Sequence, residues 1–330
     1  MNKSLEKILD GETLTKNEAH HAMTRLLQEP VQPVHVSSFL TALRVRGVHA
    51  EELEGFADAL LELAAPVELS GSEIIDVCGT GGDGKGTFNI STASAFVLAG
   101  AGYKVAKHGN YGVSSSCGSS NVVEALGIRF SADGSILRKA LDRANICFLH
   151  APLVHPALKN VQPIRKELGF RTVFNMLGPL VNPARPTTQM NGVYCASLLP
   201  LFKHVLSRRG TRFVTFHSED GHDEITLSAA IQCVSATGER KLSARDFTSI
   251  HVTPEEIAAG ATLEQSARIL TDVLSGKGSP AQETVVCANA ALAMLTHEGK
   301  GTLAEYVDRS REAIRSGRAI EVLQRSVELT

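Results

Sequence analysis

Residues 73–110, EIIDVCGTGGDGKGTFNISTASAFVLAGAGYKVAKHGN, combine two short apolar runs with a glycine-rich run and a stretch of small residues. The apolar runs, Glu73–Cys78 and Val105–Ala106, are typical of buried strands. Ser91–Gly100 lies between them and is typical of a helix. A strand, a loop, a helix and a second strand form a βαβ unit, which implies a parallel sheet. The stretch therefore predicts an α/β fold.

The α/β pattern continues downstream. Apolar runs predict strands at Ile146–Leu149 and Phe213–Phe216. Helical spacing predicts helices at residues 133–144, 198–209, 280–297 and 303–316. Thr253–Glu256 predicts another helix start, because a threonine N-cap is followed by proline.

Residues 1–68 instead predict a bundle of helices. Thr15–Glu18 has the sequence of a capping box and opens a helix that Pro30 and Pro33 end. Apolar residues recur with helical spacing in residues 36–45 and 51–64.

Residues 154–184 differ from both patterns. Their first part is compatible with helices broken by prolines, and Phe174–Pro183 predicts a rigid loop. Such a segment can return to the helical bundle and form a hinge. The predicted fold is a small N-terminal all-helical domain, 1–68, plus a larger α/β domain, 71–153 and 185–330, with a mostly parallel central sheet.

Composition restricts the functional class. The 330 residues carry 21% charged side chains and a formal net charge of −2, so no basic nucleic-acid footprint is indicated. No window approaches the roughly 18 apolar residues of a membrane span, and the charged N-terminal sequence lacks a signal-peptide core. The expected location is cytoplasmic, with no nucleic-acid or membrane partner. None of the six cysteines forms a CxxC pair, which argues against structural zinc.

The glycine-rich run Cys78–Thr92 directly follows the first predicted strand. Glycine lets the backbone approach a ligand closely, and converging N–H groups at a helix start bind anions. The run lacks the Gly-Lys-Ser/Thr ending of a P-loop, and no acidic strand end near residue 100 completes a dinucleotide fingerprint. Its position between a strand and a helix therefore favours an anion-binding loop over a flexible linker.

Two polar loops are expected beside the glycine-rich run. Lys107–Asn110 follows the second predicted strand, and parallel strands end at the same edge of a sheet. Lys107 can neutralise phosphate charge, and Asn110 can orient a polar substrate. Ser114–Ser120 is rich in hydroxyl groups and precedes a predicted helix at 121–126, which indicates a second phosphate-binding loop.

Two charged features allow a functional and an ordinary interpretation. Asp220–Glu224 contains adjacent carboxylates, which are costly to hold together unless a cation such as Mg²⁺ binds there. By composition alone, this stretch is typical of a solvated acidic turn. Arg165 can bind a substrate carboxylate with two hydrogen bonds, although an isolated arginine is more typical of the surface.

Taken together, these motifs resemble the anthranilate phosphoribosyltransferases. The matching segments occur in the family's order and spacing, and they are Gly79–Gly84, Thr87–Thr92, Lys107–Asn110, Ser114-Ser115, Gly118-Ser119, His155–Ala157, Arg165, Phe174–Pro183 and Asp220–Glu224. The resemblance runs from about Leu14 to the C-terminus and weakens after Ser228. It implies transfer of phosphoribose from 5-phosphoribosyl 1-pyrophosphate to anthranilate in tryptophan biosynthesis. It also implies a homodimer formed through the helical domains.

The resemblance also assigns residues to each ligand. For phosphoribosyl pyrophosphate these are Gly79, Gly82, Asp83, Thr87, Asn89, Ile90, Ser91, Thr92, Lys107, His108, Gly109, Asn110, Tyr111, Gly112, Val113, Ser114, Ser115 and Ser119. For anthranilate they are Gly79, Asn110, Ala151, Pro152, His155 and Arg165. Magnesium, expected as two ions, is assigned to Ser91, Asp223 and Glu224. The implied catalytic residues are Lys107, Asn110 and Arg165.

The chain departs from the family pattern at one edge of the predicted site. Tyr111 stands where arginine is common, and Ser120-Asn121 stands where Ala-Asp is common. The joint loss of a cation and an acid changes the local contacts expected there, but not the expected reaction.

Two other functions remain open at this point. Pyrimidine-nucleoside phosphorylases share a similar glycine-rich loop, but they resemble this chain less across Phe174–Pro183 and usually carry a further C-terminal domain. A non-catalytic nucleic-acid-binding relative should lack Asp223 and Glu224 and carry basic patches, and the chain shows neither feature.

Overall fold

The structure is a computed structural model that describes residues 2–28, 32–69, 71, 73–112 and 117–330. The strands are β1 (Ile74–Val77), β2 (Lys104–Gly109), β3 (Ile146–His150), β4 (Thr188–Gly192), β5 (Arg212–Ser218), β6 (Ile231–Ser235) and β7 (Gly238–Leu242). The helices are α1 (Asn2–Leu9), α2 (Lys16–Gln28), α3 (Pro33–Arg46), α4 (Ala50–Glu62), α5 (Ile90–Gly100), α6 (Ser119–Ala125), α7 (Gly134–Ala144), α8 (Ala151–Val154), α9 (Gln162–Leu168), α10 (Phe174–Leu177), α11 (Leu199–Arg208), α12 (Leu263–Leu274), α13 (Pro280–Glu298), α14 (Leu303–Arg315) and α15 (Arg318–Leu329). No helix in these described ranges is both long enough and apolar enough to cross a membrane.

The strands form one sheet in the order β3-β2-β1-β4-β5-β6-β7. The four pairings from β3 to β5 are parallel, whereas β6 and β7 extend one edge in antiparallel fashion. α5 connects β1 to β2, which confirms the predicted βαβ unit, and the predicted fold class is confirmed with it. Chain order reverses between β1 and β4, and ligands of open α/β sheets bind at such a point, outside the carboxyl ends of the strands.

Helices cover both faces of the sheet. On one face, α5 is apolar and almost completely buried, and α13 is buried from Thr284 to Met294. Close packing of α5 requires small residues, since a Cβ at Gly100 would lie 2.9 Å from the backbone nitrogen of Ala319. On the other face, α7 and α8 pack on β2 and β3 around Leu141, Leu149 and Val154.

Helices α1–α4 form the helical lobe. Its core contains Phe39 and Phe56, whose rings meet edge to face with centroids 6.2 Å apart. Phe174 and Leu177 from the returning segment, residues 154–184, pack in the same core as Phe202 of α11. The apolar core is therefore continuous between the lobe and the sheet domain.

Charged groups also join the lobe to the sheet domain. Glu54 of α4 is buried and accepts from Lys16 at 2.7 Å within the lobe. The same carboxylate contacts His204 and Arg208 of α11, each at 3.1 Å. Burying a carboxylate is costly unless it is paired, so Glu54 requires these partners to remain in place.

Local cap chemistry predicted the second helix correctly. The Thr15 hydroxyl accepts from the Glu18 N–H at 3.3 Å, and the Glu18 carboxylate accepts from the Thr15 N–H at 3.0 Å. These reciprocal bonds are the capping box. Pro30 lies outside the described residues, and Pro33 opens α3 as its first residue.

Tertiary contacts overrode two local signals and formed one strand that no local signal marked. Thr253–Glu256 does not open an α-helix, because the 3₁₀ turn Glu255–Ile257 ends where Ala258 pairs with Thr87. Phe174–Leu177 forms a helical turn, not a rigid loop, since Phe174 and Leu177 are anchored in the lobe core. β4 was not predicted, because its buried residues include the polar Thr188, Gln189 and Asn191, whose side chains form hydrogen bonds to neighbouring segments.

Candidate active site

A cleft of about 270 Å³ opens at the carboxyl ends of β1 and β2, between the sheet domain and the returning segment. The predicted site residues that line it are Gly79, Gly82, Asp83, Thr87, Asn89, Ser91, Thr92, Lys107, His108, Gly109, Asn110, Tyr111, Gly112, Ser119, Ala151, His155, Arg165, Asp223 and Glu224. Two predicted residues do not line it: the Ile90 side chain is buried in the sheet-domain core, and Pro152 is exposed on α8. Val113, Ser114 and Ser115 lie outside the described residues.

The glycine-rich loop has a backbone conformation that requires glycine. Four of its residues have φ between 64° and 76°, and they are Gly81, Gly82, Gly84 and Gly86. Residues with a Cβ seldom adopt this left-handed region. Neighbouring segments fix the loop at both ends: the Thr80 N–H donates to Gly192 at 2.9 Å, and the Phe88 N–H donates to Ile257 at 3.0 Å. The loop is therefore held in a shape that leaves backbone N–H groups at the cleft.

The Asp223 and Glu224 carboxylates come directly against this loop. Asp223 Oδ2 accepts from the Gly81 N–H at 2.5 Å, and Glu224 Oε1 accepts from the Ser91 N–H at 3.2 Å. A Cβ at Gly79 would lie 2.7 Å from Asp223 Oδ2, so glycine is needed for this approach. The acidic stretch is thus a wall of the cleft and not a solvated turn.

Buried polar contacts hold the backbone of the acidic turn. The Ser218 hydroxyl donates to the Glu224 carbonyl at 2.6 Å. The Asn289 side chain of α13 accepts from the Ile225 N–H at 3.2 Å and donates to the Ile225 carbonyl at 2.9 Å. Three elements, β5, the turn and α13, therefore fix the direction of both carboxylates.

Burial and mutual repulsion make these carboxylates hard to ionise. Burial raises the pKa of Asp223 well above its usual range, and the charges of Glu224 and Asp83 raise it further. Burial also raises the pKa of Glu224 to about 7, although the nearby Lys107 ammonium opposes that rise. Crowded carboxylates of this kind are stabilised by a bound cation.

The donor set fits Mg²⁺. In the described part of the chain, no three His, Cys, Asp or Glu side chains converge into a complete protein cage for a metal. Mg²⁺ does not need such a cage, because it keeps several waters and is bound through one or two carboxylates plus substrate phosphates. Asp83 Oδ2 is buried without a hydrogen-bond partner among the described residues, which leaves one more oxygen uncommitted beside Asp223 and Glu224.

Lys107 supplies a buried positive charge under the glycine-rich loop. Its ammonium donates to the Val77 carbonyl at 2.6 Å and to the Ser91 hydroxyl at 3.3 Å. An ammonium has three N–H groups, so one donor remains for a ligand. The same charge lowers the pKa values of Asp76 and Glu224 against the effect of their burial. Lys107 therefore balances two protein carboxylates as well as facing the cleft.

Arg165 stands on the opposite wall of the cleft. Its guanidinium lies over the Phe174 ring, 4.9 Å from the centroid, which fixes the guanidinium plane. Burial lowers its pKa to about 10, so it stays charged at neutral pH. No carboxylate in the described part of the chain pairs with it, so its hydrogen-bonding edge can take a substrate carboxylate.

Two neutral histidines complete this wall. His108 Nδ1 donates to the Gly178 carbonyl at 2.9 Å, and His155 Nε2 donates to the Val181 carbonyl at 2.8 Å. Burial lowers their pKa values to about 3 and about 4, so both rings are neutral at pH 7. His108 Nε2 is buried without a partner among the described residues and can serve as an acceptor.

The departures from the family pattern meet at one corner of the cleft. The Tyr111 hydroxyl donates to Glu124 at 3.3 Å, and its ring packs edge to face on His150 at 4.7 Å. Asn121 Oδ1 accepts from the N–H groups of Gly112 and Gly118, each at 3.0 Å. Hydrogen bonds and ring contacts therefore organise this corner.

Other residues line or support the cleft without having been predicted. Arg171 stacks on Tyr194 and donates to the Gly82 carbonyl at 2.9 Å, which supports the glycine-rich loop. Leu60 reaches the cleft from α4, and no sequence signal distinguishes it from other core residues of that helix. Asn175 and Gly178 lie within Phe174–Pro183, so the motif itself was the available signal.

Comparisons with known proteins agree with this geometry. Two family profiles match: the glycosyl transferase family a/b domain at residues 71–320 and the helical bundle domain of that family at residues 2–64. The anthranilate phosphoribosyltransferase of Christiangramia forsetii is 46% identical over 330 residues, covering 100% of this chain and 99% of that one.

Two solved structures have the same overall fold. Anthranilate phosphoribosyltransferase from Thermus thermophilus has a TM-score of 0.93 at 35% identity, covering 98% of each chain. The Saccharomyces cerevisiae enzyme in complex with PRPP and Mg has a TM-score of 0.91 at 29% identity. That match covers 98% of this chain and 96% of the yeast chain.

The neutral histidines predict a pH-dependent stability. Below about pH 6.5 the histidines of the unfolded chain take up protons, whereas His155 in the folded chain stays neutral until about pH 4. The free energy of unfolding therefore decreases as the pH is lowered, by at most ~1.4 kcal/mol per pH unit per histidine. Urea unfolding between about pH 7 and about pH 5 should show a shallower pH dependence for His155→Gln than for the wild-type chain. His251→Gln, at an exposed position, is the control. Equal slopes for His155→Gln and wild type would contradict the assignment.

Proposed function

Since the chain belongs to the anthranilate phosphoribosyltransferase family, we propose that it transfers phosphoribose from 5-phosphoribosyl 1-pyrophosphate to the amine of anthranilate. The products are N-(5-phosphoribosyl)anthranilate and pyrophosphate, in tryptophan biosynthesis. One observation carries the proposal: a single cleft joins an anion-binding glycine loop and buried carboxylates to Arg165, which has no carboxylate partner among the described residues. The first part suits a pyrophosphate, and the second suits an aromatic acid.

Negative charge develops on pyrophosphate as it leaves the ribose C1. The backbone N–H groups of the glycine-rich loop, the N-terminal end of α5 and the remaining donor of Lys107 face that charge. Asp223, Glu224 and Ser91 are the residues that would hold Mg²⁺, whose chemistry is to neutralise the departing pyrophosphate. We propose two ions, since Asp83 adds a third carboxylate next to Asp223 and Glu224. Counting the bound Mn²⁺ ions per chain tests that number.

The acceptor side requires positioning more than proton transfer. An aromatic amine is neutral at pH 7, so it can attack without a base once it is correctly placed. Arg165 would bind the carboxylate of anthranilate, and the neutral rings of His108 and His155 line the same wall. The Asn110 oxygens accept from Tyr111, Ser119 and Ser120, and its amide NH₂ has no acceptor among the residues that the structure describes.

Loss of anthranilate fluorescence tests the function directly. We expect turnover that requires both phosphoribosyl pyrophosphate and Mg²⁺ and that stops when the metal is chelated. Absence of turnover in folded protein would contradict the proposal. Phosphorolysis of uridine and a nucleic-acid gel shift serve as controls for the two alternative functions.

The double variant Asp223→Asn plus Glu224→Gln refines this test, because it preserves side-chain volume and removes both charges. We expect turnover to fall at least about 100-fold at any Mg²⁺ concentration while the thermal unfolding transition is retained. Glu219→Gln is the matched control, since Glu219 lies in the same connection but pairs with Lys241. Full activity in the double variant would show that these carboxylates do not hold the metal.

Arg165 provides a second test, on the acceptor side. Arg165→Gln should raise the KM for anthranilate by about tenfold or more, because a charge-assisted, two-bond contact is lost. The KM for phosphoribosyl pyrophosphate should stay near the wild-type value. Lys166→Gln, the exposed neighbour, controls for a general charge effect. Equal increases in both KM values would argue for a loss of cleft structure.

We also propose a homodimer through the helical lobes. Three large apolar side chains of the lobe are strongly exposed: Leu9 (68%), Val34 (65%) and Val45 (83%). All three lie on α1 and α3, which pack against each other, and exposed apolar groups on one part of a surface favour a partner. Sedimentation velocity should show a dimer that Val45→Lys weakens, whereas Ile250→Lys in the sheet domain, at a position 40% exposed, should not. A wild-type monomer at micromolar concentration would disprove the proposed dimer.

A cytoplasmic location stays a prediction, which cell fractionation tests.

A further inference from the structure

A second cavity, larger than the active cleft, lies at the opposite ends of the strands. Its volume is about 970 Å³. It is bounded by α2 and α4, by the returning segment, and by residues 209–212 where β5 begins. We call it the basal cavity, because it lies at the amino ends of β4 and β5, whereas the active cleft lies at the carboxyl ends of the parallel strands.

Arginines dominate the charge of the basal cavity, and they are Arg185, Arg209 and Arg212. Two of them have carboxylate partners: Arg209 pairs with Asp58 at 3.1 Å, and Arg212 pairs with Glu73 at 2.7 Å.

The acidic groups of the cavity wall are already engaged. Asp58 also accepts from Lys16 at 2.8 Å, so two cations share its charge. Glu62 lies 2.8 Å from the His20 ring. The lining carboxylates therefore leave little negative charge to satisfy a further cation.

Arg185 is the arginine of the basal cavity that lacks an ion pair among the described residues. Within the described ranges it has no carboxylate partner, and its side chain is exposed to the cavity. Its backbone has φ 47°, a left-handed conformation that is uncommon for a residue with a side chain. Burial lowers the pKa of Arg209, and the like charge of Arg185 adds to that effect. Two guanidinium groups therefore repel each other across the wall, and a shared anion would relieve the repulsion.

We propose that the basal cavity binds a small phosphate-bearing anion between Arg185 and Arg209, at a site separate from the active cleft. Guanidinium groups match phosphate with paired, parallel hydrogen bonds. Thr211 adds a hydroxyl to the lining, and Arg212 adds a third cation at the rim. The volume exceeds that of the active cleft, so the site can take a phosphorylated metabolite as well as free phosphate.

Residues 178–182 form the wall that separates the basal cavity from the active cleft. Gly178 and Val181 line the cleft, whereas Leu180 and Asn182 of the same loop line the basal cavity. Arg209 also donates to the Leu180 carbonyl at 2.5 Å, which ties a proposed anion ligand to that wall. The inference concerns binding alone and does not depend on the proposed reaction.

Titration calorimetry with inorganic phosphate, at constant ionic strength, tests the proposal on the full chain. If the active cleft binds phosphate groups as its proposed function requires, the wild type should show two classes of site, and otherwise one class, at the basal cavity. Arg185→Asn removes the charge, and asparagine tolerates the left-handed backbone. In this variant, the affinity of the basal cavity for phosphate should be at least about tenfold weaker, so that one class of site is lost. The KM for phosphoribosyl pyrophosphate should not change.

Two further variants make the result specific. Arg185→Lys keeps the charge without the planar fork and should bind phosphate with intermediate affinity. Arg268→Asn removes another exposed arginine, 84% exposed on α12 and outside the basal cavity, and should bind like the wild type. A wild-type isotherm for Arg185→Asn overturns the proposal, and so does an equal loss of affinity in Arg268→Asn.

Discussion

The buried carboxylate of Asp76 is the contact on which the cleft depends. It lies in the middle of the sheet, where it accepts from the Asn182 amide at 2.8 Å and from the His108 N–H at 3.3 Å. Burial raises its pKa to about 6, and the Lys107 ammonium counters that rise. One carboxylate therefore connects β1, β2 and the returning segment directly beneath the loops that line the cleft. Removing a partner from such a buried charge typically costs about 3–5 kcal/mol.

Much of the sheet domain could be predicted because its signals are local. The run from Glu73 to Asn110 carries strand, loop, helix and strand patterns in unbroken succession, and each agrees with its neighbours. β4 carried no such signal: Thr188, Gln189 and Asn191 are polar, yet they are buried through side-chain hydrogen bonds to other segments. Polarity patterns report exposure, so a strand whose polar groups are satisfied internally cannot be distinguished from a loop by pattern alone.

The candidate site shows the same division. Its glycine-rich loop, Cys78–Thr92, is contiguous in sequence and could be predicted, because successive backbone N–H groups of one turn form an anion-binding concavity. Its opposite wall comes from distant segments: Leu60 of α4 and Arg165 of the returning segment meet there only after the lobe has packed, and Arg171 supports the glycine-rich loop from the same segment. The basal cavity follows the same rule, because its arginines lie apart in sequence and meet through the start of β5.

The junction at Glu54 limits how this architecture can be recombined. One carboxylate of α4 is shared by Lys16 of the lobe and by His204 and Arg208 of α11. A lobe grafted from a relative would bring its own α4, and a mismatch there would leave a charge buried without its counterpart. The two domains are therefore not interchangeable modules: their compatibility depends on Lys16, His204 and Arg208, which lie on both sides of the boundary.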